Sequence, residues 1–192
     1  MLIKTYGFAV YGIEAIPITI ETNIGKGINF FLVGLPDSAV KESHQRIKAA
    51  FTNTLLKFPR KEVTINMAPA DIRKEGSAYD LSIAMGILAA SEQIEIDTIG
   101  DYVIMGELSL DGGLRPIKGA LSMAIKAKEL GFKGFILPEQ NAQEVSIVEG
   151  LEIYGIKKIT DVVDFFNGEK KLKQAQFIPE ENEEVYGEFA ID

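Results

Sequence analysis

The spacing of apolar residues changes near residue 36, and the change limits the folds that this chain can adopt. The first third contains three apolar, β-branched runs, interrupted at Pro17 and around Gly25 and Gly27: KTYGFAVYGI, PITIET and GINFFLVG. Such runs predict β-strands, and three in succession predict an antiparallel start. From Pro36 the period lengthens, and apolar or aromatic residues recur at α-helical spacing, namely Val40, His44, Ile47, Phe51 and Leu55.

The remainder of the chain alternates between strand-like and helix-like segments. EVTINMAP predicts a strand, and the following YDLSIAMGILAAS places apolar residues on one helical stripe. VIMGELSLDGGLRPI contains an Asp111-Gly112 hairpin signal, and KGALSMAIKAKELG predicts a helix that ends at Gly131. GFILP, AQEVSIVE, LEIYGI and TDVVDFF complete a β-α-β-α series. The sequence therefore predicts an α/β fold with antiparallel strands first and β-α-β-α alternation later.

A single domain accounts for most of the length. The chain has 192 residues and 46% hydrophobic content, so it can bury a core, and we expect one domain over residues 1–167. The apolar pattern fades after Asn167, and residues 168–192 are expected to form an acidic linker or tail. Much of the formal charge of -8 lies in this last stretch. Net acidity argues against a broadly basic nucleic-acid-binding surface, although a local patch can exist on an acidic chain.

Missing residue types and motifs exclude several classes of site. The chain has no cysteine, which excludes disulfides, thiolate metal sites and cysteine catalysis. Its single histidine, His44, excludes a poly-histidine metal site and is expected to pack at the edge of a helix stripe. No segment matches G-x-x-x-x-G-K-[ST], so we expect no cofactor or ATP site in this chain. Glu14 interrupts the first apolar stretch far short of the ~20 residues that span a bilayer, and we expect a cytoplasmic protein with no membrane partner.

Ser77, in the stretch RKEGSAYDLSIA, has two interpretations. A serine at a helix N-terminus lies where backbone N–H groups stabilise an oxyanion, and a lysine of lowered pKa would deprotonate it. Ser77 and Asp80 also match the capping box S-x-x-[DE]. In that arrangement Ser77 Oγ accepts from the Asp80 amide, and the helix gains about 1 kcal/mol. We favour the cap, with Ser77 and Asp80 as structural residues.

Four basic residues lie at loop ends near the same helix, namely Arg73, Lys74, Arg115 and Lys118. Charged residues collect in solvated loops, so they predict a solvated rim. They are also candidates for contact with a neighbouring subunit, another domain or a nucleic-acid backbone.

Three long motifs together resemble one known family. VGLPDSAVKES, NMAPADIRKEGSAYDLSIAMGILAAS and MGELSLDGGLRPIKGALSMA occur in this order. They resemble the N-terminal domain of the ComM/YifB proteins, which are magnesium-chelatase-like AAA+ ATPases. The resemblance runs from the first residues to about Phe166.

This resemblance implies a fold and tests the role of Ser77. The N-terminal domain of that family is similar to the proteolytic domain of Lon, which implies a ribosomal-protein-S5-domain-2-like fold. Lon enzymes pair a serine nucleophile with a lysine base. The matching motifs place Ala78 at the nucleophile position and Leu121 at the base position. Neither side chain can exchange a proton, so the resemblance implies no catalytic residues, unless Ser77 and Lys118 form a displaced Ser-Lys dyad.

The resemblance also implies a role within a larger protein. It suggests a non-catalytic accessory domain of an ATPase whose AAA+ domain holds ATP and Mg²⁺ and follows the acidic tail. The family is linked to DNA uptake and branch migration during natural transformation. Expected partners are the chain's own AAA+ domain, other copies in a homo-oligomeric ring, and DNA. The alternative is a peptidase-like hydrolase that uses Ser77 and Lys118.

Overall fold

The computed structural model describes residues 1–179, which form nine strands and six helices. The strands are β1 (Leu2–Tyr11), β2 (Glu14–Gly25), β3 (Phe30–Val33), β4 (Glu62–Ala68), β5 (Tyr102–Ile104), β6 (Glu107–Leu108), β7 (Leu114–Arg115), β8 (Gly134–Pro138) and β9 (Glu152–Ile156). The helices are α1 (Ser38–Lys41), α2 (Ser43–Asn53), α3 (Asp80–Ala90), α4 (Ala120–Glu129), α5 (Glu139–Val145) and α6 (Ile159–Phe166). The predicted α/β class is confirmed.

Seven strands form one mixed sheet in the order β3-β4-β2-β1-β5-β8-β9. β2 is antiparallel to both of its neighbours, β1 and β4, whereas every other neighbouring pair is parallel. The sheet is therefore mostly parallel. β6 and β7 form a separate two-stranded hairpin around the predicted Asp111-Gly112 turn.

Helices cover both faces of the sheet near its centre. Every residue of α3 is buried, and Thr5 Oγ1 of β1 donates to the carbonyl oxygen of Ser82 in that helix at 3.0 Å. Helix α3 lies close to strand β2, because a Cβ on Gly86 would lie 2.5 Å from Thr22 Oγ1. The start of α4 packs against Val10, which points to the opposite face from Thr5 because side chains alternate along a strand.

The structure corrects the predicted antiparallel start at its third strand. β1 and β2 are antiparallel as expected, but β3 pairs in parallel with β4, with Phe30 opposite Val63. The chain between these two strands contains α1 and α2, and such a helical crossover returns the chain in the parallel direction.

The helix predicted from Pro36 onward is shorter than expected and interrupted. It consists of α1 and α2, which are separated at Glu42. Leu55, expected on the apolar stripe, has a φ of 60° and is 92% exposed. The chain turns there because Leu56 N donates to the Phe51 carbonyl oxygen and ends the helix.

Residues 167–179 contain no helix or strand, yet part of this segment contacts the domain. Ala175 N donates to the Ile153 carbonyl oxygen of β9 at 2.7 Å, and Leu172 packs against the core. The boundary at residue 167 stays a prediction, and most of the acidic stretch lies outside the described residues. No helix within residues 1–179 is both long and apolar enough to cross a membrane.

Candidate functional site

A cavity of about 700 Å³ opens between β1, the loop before α3, the β6–β7 hairpin and the start of α4. We call it the Ser77 cavity. Phe8, Val10, Ile117 and Met123 form its apolar wall. Its ionisable and hydroxyl groups belong to Asp37, Glu75, Ser77, Tyr79, Glu107 and Lys118. The cavity thus combines an apolar surface with an excess of carboxylates.

Ser77 makes a long-range hydrogen bond and does not cap α3. Its hydroxyl donates to Glu107 Oε2 at 2.7 Å, across 30 residues of sequence. The N-cap of α3 is Tyr79, without a side-chain cap bond, and Asp80 N donates to the Ser77 carbonyl oxygen at 3.2 Å. The predicted capping box of Ser77 and Asp80 is therefore wrong, because Glu107 binds the Ser77 hydroxyl and Arg46 binds the Asp80 carboxylate.

The Asp80 carboxylate lies in a buried ion pair that joins three elements. Arg46 Nε of α2 donates to Asp80 Oδ2 at 2.7 Å, and Arg46 Nη2 donates to Oδ1 at 2.9 Å. Leu108 N of the hairpin also donates to Oδ2, at 3.0 Å. The Asp80 side chain is 1% exposed, and its hydrogen bonds raise the pKa of the Arg46 guanidinium. This network holds Glu107, the neighbour of Leu108, beside Ser77.

Lys74 is buried, and its predicted role as a surface contact is wrong. Its Nζ donates to the Gly34 carbonyl oxygen at 2.6 Å and to the Pro69 carbonyl oxygen, and the residue is fully buried. Burial lowers the pKa of the Lys74 ammonium, an effect that the Asp71 carboxylate opposes. Two backbone carbonyls compensate the buried charge, so this lysine joins two loops instead of meeting a partner.

The other three predicted contact residues are exposed but do not form one patch with Lys74. Arg73 Nε lies 3.3 Å from Glu75 Oε1 in an exposed ion pair. Arg115 Nε donates to Ser109 Oγ at 3.0 Å on the hairpin. Lys118 lines the Ser77 cavity. The structure therefore brings Ser77 and Lys118 to one cavity, but the Ser77 hydroxyl bonds to a carboxylate.

Tyr79 is a cavity residue that sequence reasoning missed. Its side chain is buried at 3% exposure, and burial raises the pKa of its phenol, as do Tyr11, Asp37 and Glu75 to a smaller extent. Its place directly before α3, two residues after Ser77, was the available signal. The neutral phenol can both donate and accept a hydrogen bond.

His44 has the packing role that its position predicted. Its ring stacks on Phe30 at a centroid distance of 3.9 Å and an angle of 7°. Desolvation lowers the pKa of the imidazole, and the nearby Lys48 lowers it further. A half-buried, stacked ring explains the residue without a chemical role.

A second missed feature is the loop between α2 and β4, residues 57–61, which we call the cationic loop. It carries Lys57, Arg60 and Lys61, all exposed, and none forms an ion pair within the part of the chain that the structure describes. The Gln93 side chain fixes the loop, because it accepts from Lys57 N at 2.9 Å and donates to the Lys57 carbonyl oxygen at 2.7 Å. The run KFPRK was the available sequence signal.

Comparison with known proteins identifies the family of this domain. A mostly parallel mixed sheet with a polar cavity beside α3 and α4 defines an α/β domain with a candidate ligand or substrate site. The model of the family described as subunit ChlI of Mg-chelatase matches residues 20–141. The chain belongs to this Mg-chelatase-like family.

Three individual proteins match the chain over most of its length. The chain is 40% identical to competence protein ComM of Haemophilus influenzae over 178 residues, which is 92% of this chain and 35% of ComM. It is 40% identical to YifB of Escherichia coli over 167 residues, covering 86% of this chain and 33% of YifB. A more distant match, 29% identical over 148 residues, is Lon protease 2 of Bacillus subtilis, with 77% of this chain and 26% of that protein covered. The chain thus spans about a third of the length of ComM and YifB.

Proposed function

We propose that this chain is a non-catalytic accessory domain of a ComM/YifB-like AAA+ ATPase. The observation that carries the proposal is the state of the Ser77 cavity. Its serine hydroxyl donates to Glu107, and the positions that the Lon resemblance assigns to nucleophile and base hold Ala78 and Leu121. Catalysis of acyl transfer requires a nucleophile with a base within hydrogen-bond reach, and neither alanine nor leucine can serve.

The finer features of the proposal follow from the same resemblance. We assign the α/β domain to the ribosomal-protein-S5-like fold of Lon proteolytic domains, which the 29% identity to Lon protease 2 supports. ATP and Mg²⁺ would bind in an AAA+ domain of the longer protein, which would form a homo-oligomeric ring. A cytoplasmic location suits a chain without cysteine. The name of the relative ComM supports a role in competence, and we propose DNA uptake and branch migration for the longer protein.

A peptidase assay tests the non-catalytic role. We expect the purified chain to cleave neither unfolded protein nor fluorogenic peptides, and a serine-directed fluorophosphonate to leave Ser77 unlabelled. Lys118→Met provides a control for the displaced dyad, because it removes the only lysine that lines the Ser77 cavity among residues 1–179. Turnover that disappears in both Ser77→Ala and Lys118→Met would refute the proposal.

The displaced dyad remains a second candidate because one observation favours it. Ser77 and Lys118 line the same cavity, so a substrate could meet both side chains. The chain would then be a hydrolase in which Lys118 deprotonates Ser77. That mechanism requires Ser77 to release Glu107 before it reacts, so Glu107→Gln should increase labelling by the fluorophosphonate.

The accessory role includes contact with DNA or a partner, and we assign that contact to the cationic loop. Three unpaired cations lie together there, whereas Lys74 is buried and Arg73 is paired. Phosphate contacts make DNA affinity salt-dependent, with a slope of about 0.9 per phosphate contact. We expect Lys57→Glu, Arg60→Glu and Lys61→Glu together to lower this slope by about 2 to 3 and the affinity at least tenfold.

A matched control variant distinguishes the effect of the cationic loop on DNA affinity from the effect of net charge. Lys4→Glu, Lys128→Glu and Lys171→Glu make the same change of charge at exposed positions outside the loop. Fluorescence anisotropy with a duplex DNA probe at several salt concentrations measures both triple variants. Equal slopes in the two variants would show that the cationic loop is not the contact.

A further inference from the structure

Among residues 1–179, the carboxylates of Asp37 and Glu107 in the Ser77 cavity lack a directly bonded cation, although Glu107 lies near enough to Arg46 to raise the pKa of that guanidinium. Asp37 and Glu107 are half-buried, and neither lies in an ion pair among residues 1–179. Asp37 accepts from Val40 N at 2.7 Å and from Gly76 N at 3.2 Å, and Glu107 accepts from Ser77. An ionised carboxylate offers about four acceptor positions, so both retain acceptor capacity toward a ligand.

The Tyr79 hydroxyl is a second, independent indication of a ligand. The residue is buried and lines the cavity, yet its hydroxyl makes no hydrogen bond to any described residue. The hydroxyl oxygen itself keeps contact with solvent at the cavity, so it is available to donate to or accept from a ligand. The phenol lies close enough to Asp37 for that carboxylate to affect its ionisation.

The remaining charges around the cavity are compensated or lie at its mouth. Glu75 pairs with Arg73, and the Asp80 carboxylate beneath the hairpin pairs with Arg46. Lys118 is exposed at the start of α4. The described lining of the cavity holds three carboxylates and one lysine, so its excess negative charge disfavours an anionic ligand and attracts a cation.

We propose that the Ser77 cavity binds an aliphatic cation, meaning an ammonium or guanidinium group on an alkyl chain. Such a group donates several hydrogen bonds, which suits Asp37, Glu107 and the Tyr79 hydroxyl. Its methylene chain packs on Phe8, Val10 and Met123. The volume of about 700 Å³ is in the range of small-ligand sites. The cation is either a free polyamine or a basic side chain of a polypeptide, and this inference holds whether or not the domain is catalytic.

Calorimetric titration of the 192-residue chain tests this inference. The probes are spermidine, the peptide Gly-Gly-Lys-Gly-Gly with blocked ends, and the same peptide with norleucine in place of lysine. Norleucine has a similar length and no charge. We expect saturable binding of at least one cationic probe, at least tenfold tighter than the norleucine peptide. Binding of spermidine alone identifies a polyamine, and binding of the lysine peptide identifies a polypeptide side chain.

Variants assign the binding to this cavity. Glu107→Gln keeps the shape and removes the charge, and we expect about tenfold weaker binding, whereas Glu144→Gln on the exposed face of α5 leaves affinity unchanged. Lys118→Met removes the competing cation and should tighten binding severalfold, a gain that misfolding cannot produce. Tyr79→Phe should weaken binding.

Four results would overturn the inference. These are no binding of either cationic probe, binding of the norleucine peptide within twofold of the tighter cationic probe, wild-type affinity in Glu107→Gln, and weaker binding in Lys118→Met. Cleavage of the bound peptide would overturn the non-catalytic role instead and would support the cation site. One set of results therefore refutes the cation site, and a different result refutes the non-catalytic role.

Discussion

Removal of the Asp80 carboxylate should strongly reduce the stability of the domain. In Asp80→Ala the Arg46 guanidinium loses both of its bonds to this carboxylate, and Leu108 N loses its acceptor in the core. Loss of one partner of a buried ion pair costs about 3–5 kcal/mol, because the other charge stays buried. Arg46 is 18% exposed and still donates to the Ala39 carbonyl oxygen at 2.9 Å, which favours the lower end. We expect a loss of about 3–4 kcal/mol.

The control is a second, exposed ion-pair partner of Arg46. Glu42 lies 3.6 Å from Arg46 Nη1 on the exposed side of α2, and its side chain is 69% exposed. Exposed ion pairs contribute about 0–1 kcal/mol, so Glu42→Ala should change the free energy of unfolding by less than about 1 kcal/mol. Urea unfolding followed by circular dichroism measures both variants. The reasoning is refuted if Asp80→Ala costs no more than Glu42→Ala.

Two further predictions concern stability. The pKa of His44 is lowered by burial, so the unfolded chain binds the proton more readily; stability should therefore fall as pH drops from about 6.5 through the lower folded-state pKa. Urea midpoints measured over this range should lose that component in His44→Phe, and an unchanged pH profile would contradict the assignment. Gly34 has a φ of 103°, and a Cβ there would lie 2.2 Å from the Met67 carbonyl oxygen. Gly34→Ala should cost about 3 kcal/mol or more, whereas Gly76→Ala, at a φ of 84° with open space around it, should cost about 1–2 kcal/mol. Equal thermal-unfolding shifts would argue against the close approach.

The sequence predicted the elements because apolar periodicity is a local property. The alternation in β1 and β4 and the apolar run of α3 each lie within about a dozen residues, so the strand and helix assignments were confirmed. The pairing of β3 depended on the path of α1 and α2 and was predicted wrongly. Whether two strands pair in parallel depends on the connection between them, and the residue pattern of one strand carries no information about that connection.

The site was predicted less well because its contacts are long-range. Ser77 satisfies a local capping rule, yet its partner lies 30 residues away, and the partner of Asp80 lies 34 residues away. A local capping rule considers only neighbouring residues in the sequence, so it does not include a stronger hydrogen-bond partner that the fold brings close. The exposure of Arg73 and Arg115 was predicted, but a four-carbon lysine stem can also reach inward, as Lys74 does.

The burial of Lys74 restricts how this domain can evolve. Its ammonium bonds to the carbonyl oxygens of Gly34 and Pro69, and its backbone pairs with Leu35 and Asp37. A deletion that moved Ser77 one step along the loop, toward the position of Ala78, would have to pull this ammonium out of its binding site. Any such deletion therefore costs the domain both hydrogen bonds of the Lys74 ammonium.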